Sequence, residues 1–411
     1  MGYKKRTIKG IWWVGSFRGT TRIITIFKTV LLARLLSPAQ FGLFGIASFG
    51  LAFLEVLTET GVNVFLVQEK SAIKEHLNEA WLISVVRGLV LCILILISGP
   101  FLTFFFNAPE ALYLIYLIAL IPLIKGFINP AQVIFQKELQ FGKEFWFRII
   151  IYGVDTLVSI VVTFITRSPA GIVYGLIAGA LSEAVLSYIY FKLRPKISFS
   201  KIKIRLILNR GKWVTIFGIF HYLSQELDNL VIARLLGAGP LGIYQMAFKI
   251  SVLPVSEITD VISKVTFPVY TKIQNENKRL KKNFIKTSVI LSFLVVLSFL
   301  FLFIFTKEIV TFILGSAWIS TIPILKILAL YGAIRGIFGS VSSLFLARGK
   351  QKYVAVMTFI RLMTLAIVIV PFVLRWGVIG ASVSVLISAL AEVPVIIFYT
   401  ILIFKKGNEK S

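Results

Sequence analysis

The sequence predicts an all-α polytopic membrane protein with about twelve transmembrane helices in two six-helix lobes. Composition, a ladder of span-length apolar segments and the sorting of basic residues between connections predict it. Of the 411 residues 57% are hydrophobic and 15% charged, more apolar surface than a water-soluble chain of this size hides. The 36 phenylalanines suit helix faces turned to lipid.

A helix crosses bilayer hydrocarbon in about 20 residues. Apolar runs between polar or Gly/Pro breaks give spans near 10–35, 41–66, 80–106, 111–133, 149–166 and 170–191. Six more follow near 213–236, 241–267, 287–306, 321–346, 353–374 and 377–404. The first leaves the basic MGYKKRTIKG directly, without a small-residue cleavage site, so a cleaved signal peptide is not expected. It ends in ARLL, and Ser37-Pro38-Ala39-Gln40 then reads as a capping box that starts the second. Gly237-Ala238-Gly239-Pro240 supplies the same turn between the seventh and eighth.

Alternate connections differ sharply in charge. The N-terminus, the segments after even-numbered spans and the C-terminus hold 29 Lys and Arg; the others hold Arg167, Lys307 and Arg375. Basic connections stay cytoplasmic, which predicts both termini inside. The net charge of +26 is therefore mostly an orientation signal that touches anionic headgroups, and nucleic-acid binding is not expected. Its densest block, about 192–212, divides the chain into lobes 1–200 and 201–411.

The lobes repeat one another. Residues 33–48 align with 233–248, Lys125-Gly126 with Arg335-Gly336, and 171–184 with 380–393, which brings Glu183 onto Glu392. Six spans per copy make the repeat parallel, with its axis along the membrane normal.

Twelve basic and nine acidic residues fall inside spans. A central charge costs roughly 2.5–3.5 kcal/mol even on the lenient insertion scale, so these groups need pairing or a hydrated interior. Arg34 and Arg234 lie near the outer surface, where they snorkel and mark a boundary or gate. Arg22, Lys125 and Arg335 fall near mid-membrane. Arg18 and Arg22 share one helix face and suit a polyanion such as phosphate. The acids admit internal salt bridges, ion coupling or contacts to sugar hydroxyls. Asp228 occupies the repeat position of Lys28, which suggests a pair across the lobes, and His221 and Glu226 join it as ion-coupling candidates. The single cysteine, Cys92, excludes an internal disulfide, and no residue spacing suggests a metal site. No Walker A sequence or other cofactor signature is present.

The phrase ARLLSPAQFGLFGIASFGLAFLEVLTETG resembles the polysaccharide-lipid flippases of the multidrug/oligosaccharidyl-lipid/polysaccharide exporter superfamily. So does LDNLVIARLLGAGPLGIYQMAFKI, followed by Phe267-Pro268. The resemblance implies a central cavity, alternating access and a polyprenyl-(pyro)phosphate-linked oligosaccharide as cargo. It places the chain in a prokaryotic cytoplasmic (inner) membrane, in biosynthesis of a cell-surface polysaccharide such as lipopolysaccharide O-antigen or capsule. It also implies a cationic cavity for the anionic head, which Arg18, Arg22, Lys125 and Arg335 would supply. A monomer is expected, with a polysaccharide polymerase as a possible partner. A multidrug exporter of the same superfamily is the alternative. A glycan polymerase or ligase fits less well, because the longest outer connection, TKEIVTFILGSAWIS, is short and nearly uncharged.

Overall fold

Most of the described chain is helical, and the longest non-helical connection runs from Phe191 to Ser200. The computed structural model describes residues 3–59, 61–68 and 73–408, and none of these lies in a β-strand. Among the described residues eight helical segments are long and apolar enough to cross a membrane: Pro38–Leu57, Leu77–Phe105, Pro109–Gly126, Phe141–Thr166, Ala170–Tyr190, Asn277–Ile304, Thr321–Ala347 and Gln351–Lys405. Three further helices, Tyr3–Leu35, Lys201–Leu236 and Ala238–Lys272, cover the first, seventh and eighth expected spans and carry many of the internal charges.

The expected boundaries shift where local chemistry ends a helix early. The second expected span, 41–66, stops at Leu57, because Glu59 Oε1 accepts the Gly61 amide and Gly61 turns at φ +63°. A separate short helix, Val62–Gln68, follows. The fourth expected span is broken into Leu112–Ile118 and Leu120–Gly126, then a 3-10 turn, Pro130–Val133, that Asn129 caps. The last two expected spans form one continuous helical run, Gln351–Asn408, interrupted only at Gly377 (φ +58°, ψ −135°). Only glycine occupies that region without strain, so Gly377 makes the whole turn.

The chain forms two compact units, Met1–Gln225 and Glu226–Ser411. The division falls inside the Lys201–Leu236 helix because the first part of that helix packs on the N-terminal unit. Ile204 lies on the cluster of Val62, Phe65, Leu66, Ala80, Ile83 and Val133, and Tyr222 donates its hydroxyl to the Phe49 carbonyl at 3.1 Å.

In the N-terminal unit the tightest crossing joins Phe141–Thr166 to Ala170–Tyr190. Gly171, Gly175 and Gly179 recur every fourth residue on the second helix and face Thr163, Ser159 and Asp155 on the first. A Cβ at Gly175 would collide with Ser159, and one at Gly171 with Thr163. Small residues are what let membrane helices approach this closely, since lipid tails compete with any apolar side chain. The C-terminal unit repeats the device 209 residues later with Gly380, Ser384 and Ser388. A Cβ at Gly380 would strike the Phe372 carbonyl, and Ser384 Oγ donates to the Val368 carbonyl at 3.4 Å.

Connections of one charge class meet within each unit. In the N-terminal unit Asn129 Nδ2 donates to the Leu193 carbonyl at 2.7 Å, and the Lys196 amide to Asn78 Oδ1 at 2.8 Å. These join three basic connections. The poorly charged ones meet elsewhere: Gln40 Nε2 donates to the Arg167 carbonyl at 2.8 Å, and Tyr113 Oη and Ser168 Oγ lie 3.3 Å apart. In the C-terminal unit Asn277 gathers Arg348 Nη2 at 2.6 Å and the Phe404 carbonyl at 3.1 Å, again all from the basic class. Each unit thus carries its basic connections on one face.

Candidate functional site

Charged side chains inside the helices are largely held in pairs, and the pairing decides what remains available. Lys125 stands on Leu120–Gly126, which crosses Leu77–Phe105 so closely that a Cβ at Gly126 would come within 2.9 Å of the Ser84 carbonyl. That crossing opens on one side into a cavity of about 310 Å³. Its charged lining is Glu55, Arg87, Lys125, Arg148 and Glu183, with the amide of Gln132.

Three local ties hold these groups. Lys125 Nζ lies 3.6 Å from Glu55 Oε1, with Lys125 still 48% exposed. Arg87 Nη2 donates to the Glu55 backbone carbonyl at 2.8 Å and lies 3.4 Å from Glu59 Oε2. Arg148 Nε donates to Glu144 Oε1 at 3.1 Å, one helical turn away. The two carboxylates thus have separate cations, Lys125 for Glu55 and Arg87 for Glu59. Among the described residues Glu183 forms no ion pair, and Gln132 Oε1 is buried without a hydrogen-bond donor. The cavity thus offers cations and acceptors together, which suits a polar ligand carrying both hydroxyls and an anionic group.

The C-terminal unit holds the repeat counterpart in closed form. Arg335 Nη1 donates to Glu392 Oε2 at 3.2 Å, with Glu392 buried. Lys125 and Glu183 occupy the corresponding positions in the first copy, yet Lys125 is tied to Glu55 instead.

The remaining sequence candidates divide. Arg18 is exposed and Arg22 half-buried on the Tyr3–Leu35 helix, outside the lining of the Lys125 cavity. Arg34 and Arg234 are both exposed at the ends of their helices. The Ser37 capping box forms as expected, with Gln40 N to Ser37 Oγ at 3.3 Å and Ser37 N to Gln40 Oε1 at 2.9 Å. The expected pairing of Lys28 with Asp228 is corrected. Lys28 Nζ donates to both carboxylate oxygens of Asp155, at 2.7 and 2.9 Å, within its own unit. Asp228 is buried and accepts Tyr244 Oη at 2.5 Å and the Asn229 amide at 2.9 Å. Asp155, the partner of Lys28, and Tyr244, the partner of Asp228, each lie on another helix of the same unit. Glu226 accepts Asn229 Nδ2 at 2.8 Å, while the His221 side chain lies outside the described residues. No group of three or more His, Cys, Asp or Glu among the described residues is placed to hold a metal ion.

Sequence reasoning missed the company that Lys125 keeps. Arg148 reads as a loop charge, although Glu144 four residues earlier signals a helix. Glu183 was marked only by its alignment with Glu392.

A family model described as "Polysaccharide biosynthesis protein" matches residues 31–323. The chain belongs to that family. Its relatives include the lipopolysaccharide biosynthesis protein WzxC of Escherichia coli (strain K12), 27% identical over 85% of this chain and 72% of that protein. The teichuronic acid biosynthesis protein TuaB of Bacillus subtilis (strain 168) is 23% identical, over 84% of this chain and 72% of that one. Among solved structures, the lipid II flippase MurJ in an inward closed conformation superposes with a TM-score of 0.76 at 20% identity, covering 97% of this chain and 90% of its own. An inward-facing multidrug resistance MATE transporter gives 0.76 at 15% identity, over 94% and 96%. The polysaccharide biosynthesis family therefore shares, in this member, the fold of multi-pass membrane transporters.

Proposed function

We propose that this chain is a flippase that moves a polyprenyl-(pyro)phosphate-linked oligosaccharide from the cytoplasmic to the outer leaflet of a bacterial inner membrane, in surface polysaccharide biosynthesis. The single observation that carries this reading is family membership with WzxC and TuaB, proteins named for lipopolysaccharide and teichuronic acid biosynthesis. Twelve spans in two six-helix lobes, 1–200 and 201–411, enclose a central cavity and alternate its access. Both termini are cytoplasmic, a reading supported by the basic connections that share one face within each unit.

Arg18, Arg22, Lys125 and Arg335 bind the phosphate of the cargo while its lipid tail stays in the bilayer. Lys125 does so by exchange. Its tie to Glu55 is long and half-exposed, and such pairs contribute only about 0–1 kcal/mol. An incoming phosphate forms stronger charge-assisted hydrogen bonds and displaces the carboxylate. Asp228, with Glu226 and His221 beside it in sequence, is the candidate for ion coupling. The chain acts as a transporter without catalysing bond chemistry. Drug export is the weaker reading: the charged lining around Lys125 has three bases to two acids, which disfavours cationic drugs.

The test is reconstitution in proteoliposomes with a fluorescent lipid-linked oligosaccharide. Wild type moves the lipid between leaflets, and Arg22→Ala loses most of that rate. Equal rates for the two would refute the cationic mechanism.

A further inference from the structure

The segment between Tyr190 and Lys201 is an extended strap, and its two sides differ. Phe191 is buried with Leu77, Ala131, Phe135 and Phe147, and Leu193 packs against that cluster. The Lys196 amide is bonded to Asn78 Oδ1, and Ser198 Oγ lies 3.3 Å from Glu79 Oε1. Lys203 then binds the Glu75 carbonyl at 2.5 Å and approaches Glu79 at 3.9 Å. The strap is therefore held at its start by the Phe191 and Leu193 side chains and further along by the Lys196 amide and the Ser198 hydroxyl, contacts in which the side chains of Ile197 and Phe199 take no part.

They are 84% and 77% exposed, and Ile202, on the first turn of the next helix, is 83% exposed. Around them Lys192, Arg194, Lys196, Lys201 and Arg205 are exposed as well, and 191–205 contains no acid. Depth follows from the anchors. Asn78 and Glu79 lie on the first turn of Leu77–Phe105, and Ile204 packs beside Ala80 and Ile83, where that helix turns apolar. The strap thus sits at the level where a membrane helix leaves the headgroups for hydrocarbon.

We propose that this strap is a lipid-binding anchor: Ile197, Phe199 and Ile202 insert among the headgroups of the adjoining leaflet, and the five exposed cations bind anionic lipid. Apolar side chains interleaved with Lys and Arg are the chemistry of an interfacial anchor, since neither buried area nor charge holds a surface segment well by itself. The charge complementarity selects anionic lipid over a neutral bilayer. It also makes the attachment sensitive to salt, because the cations are exposed. This inference does not depend on what the chain transports.

The single cysteine makes the test direct. In a Cys92→Ala background, Phe199→Cys carries a polarity-sensitive fluorophore, and Glu276→Cys, on another exposed connection, serves as reference. Each is placed in nanodiscs of phosphatidylcholine and of phosphatidylcholine with phosphatidylglycerol. The expected result is blue-shifted emission at 199 in the anionic discs, with quenching by doxyl-labelled lipid at least about twofold stronger than at 276. A second arm uses the unlabelled protein. Phosphatidylglycerol should raise the thermal stability of wild type, and Ile197→Ser/Phe199→Ser/Ile202→Ser should lose that increment while remaining folded in phosphatidylcholine. Water-like emission at 199 in both discs would overturn the proposal and leave the apolar trio to a protein partner. Equal blue shifts in both lipids would overturn the anionic selectivity.

Discussion

Replacing Asp155 with alanine should be among the most damaging single changes in the N-terminal unit. Lys28 Nζ lies 2.7 and 2.9 Å from the two carboxylate oxygens, and each side chain is only 15% exposed. Removing one member of a buried pair strands the other charge, at roughly 3–5 kcal/mol. Asp155 also accepts Ser159 Oγ at 3.3 Å and touches Gly179 across the helix crossing, so its loss opens that contact too. The residual exposure lets some water reach the ammonium, which places the expected cost near the lower end, about 3 kcal/mol. The measurement is equilibrium unfolding of purified protein in mixed detergent micelles, for Asp155→Ala, Lys28→Met and Lys28→Met/Asp155→Leu. The double variant removes both charges and should fall within about 1 kcal/mol of wild type, giving a coupling of about 2 kcal/mol or more. Additive single effects, or a loss below about 1 kcal/mol for Asp155→Ala, would refute the pairing argument.

Two further outcomes follow from the packing. Gly175→Leu should separate Phe141–Thr166 from Ala170–Tyr190 and destabilise the N-terminal unit by about 1–3 kcal/mol or more, and Ser159→Gly should recover part of the loss in the same unfolding assay. Arg335→Ala leaves Glu392 buried without its cation and should destabilise the C-terminal unit more than Lys125→Ala destabilises the N-terminal one, because Glu55 is far more exposed than Glu392; limited proteolysis of the two variants compares them.

The helices were legible in the sequence because length and apolarity are local properties. Their ends were less so. Gly61 and Gly377 decide two of them through backbone conformation, and the continuous run Gln351–Asn408 shows that one glycine suffices where a loop was expected. Depth along a helix identified which charges lie inside the membrane, but it carries no information about which helices are neighbours. Lys28 was matched to Asp228 by repeat position, whereas Asp155 reaches it because Phe141–Thr166 packs on the first helix. The same gap hid the group around Lys125, whose lining comes from residues 55 to 183. Repeat alignment did carry physical content: Gly171, Gly175 and Gly179 correspond to Gly380, Ser384 and Ser388 in position and in the crossing they make.

The partners of the repeat-related cations also fix an order of events during synthesis. Lys125 is made 70 residues after Glu55, so it enters the membrane with its counter-charge already there. Arg335 is made 57 residues before Glu392, near the end of the chain. Until the last helix is inserted, that guanidinium must be kept by water, headgroups or a chaperoning surface, at the cost an unpaired charge carries in a bilayer. The Lys125 pair can thus close as its helix emerges, whereas Arg335 waits for the helix that carries Glu392, as Lys28 waits for Asp155.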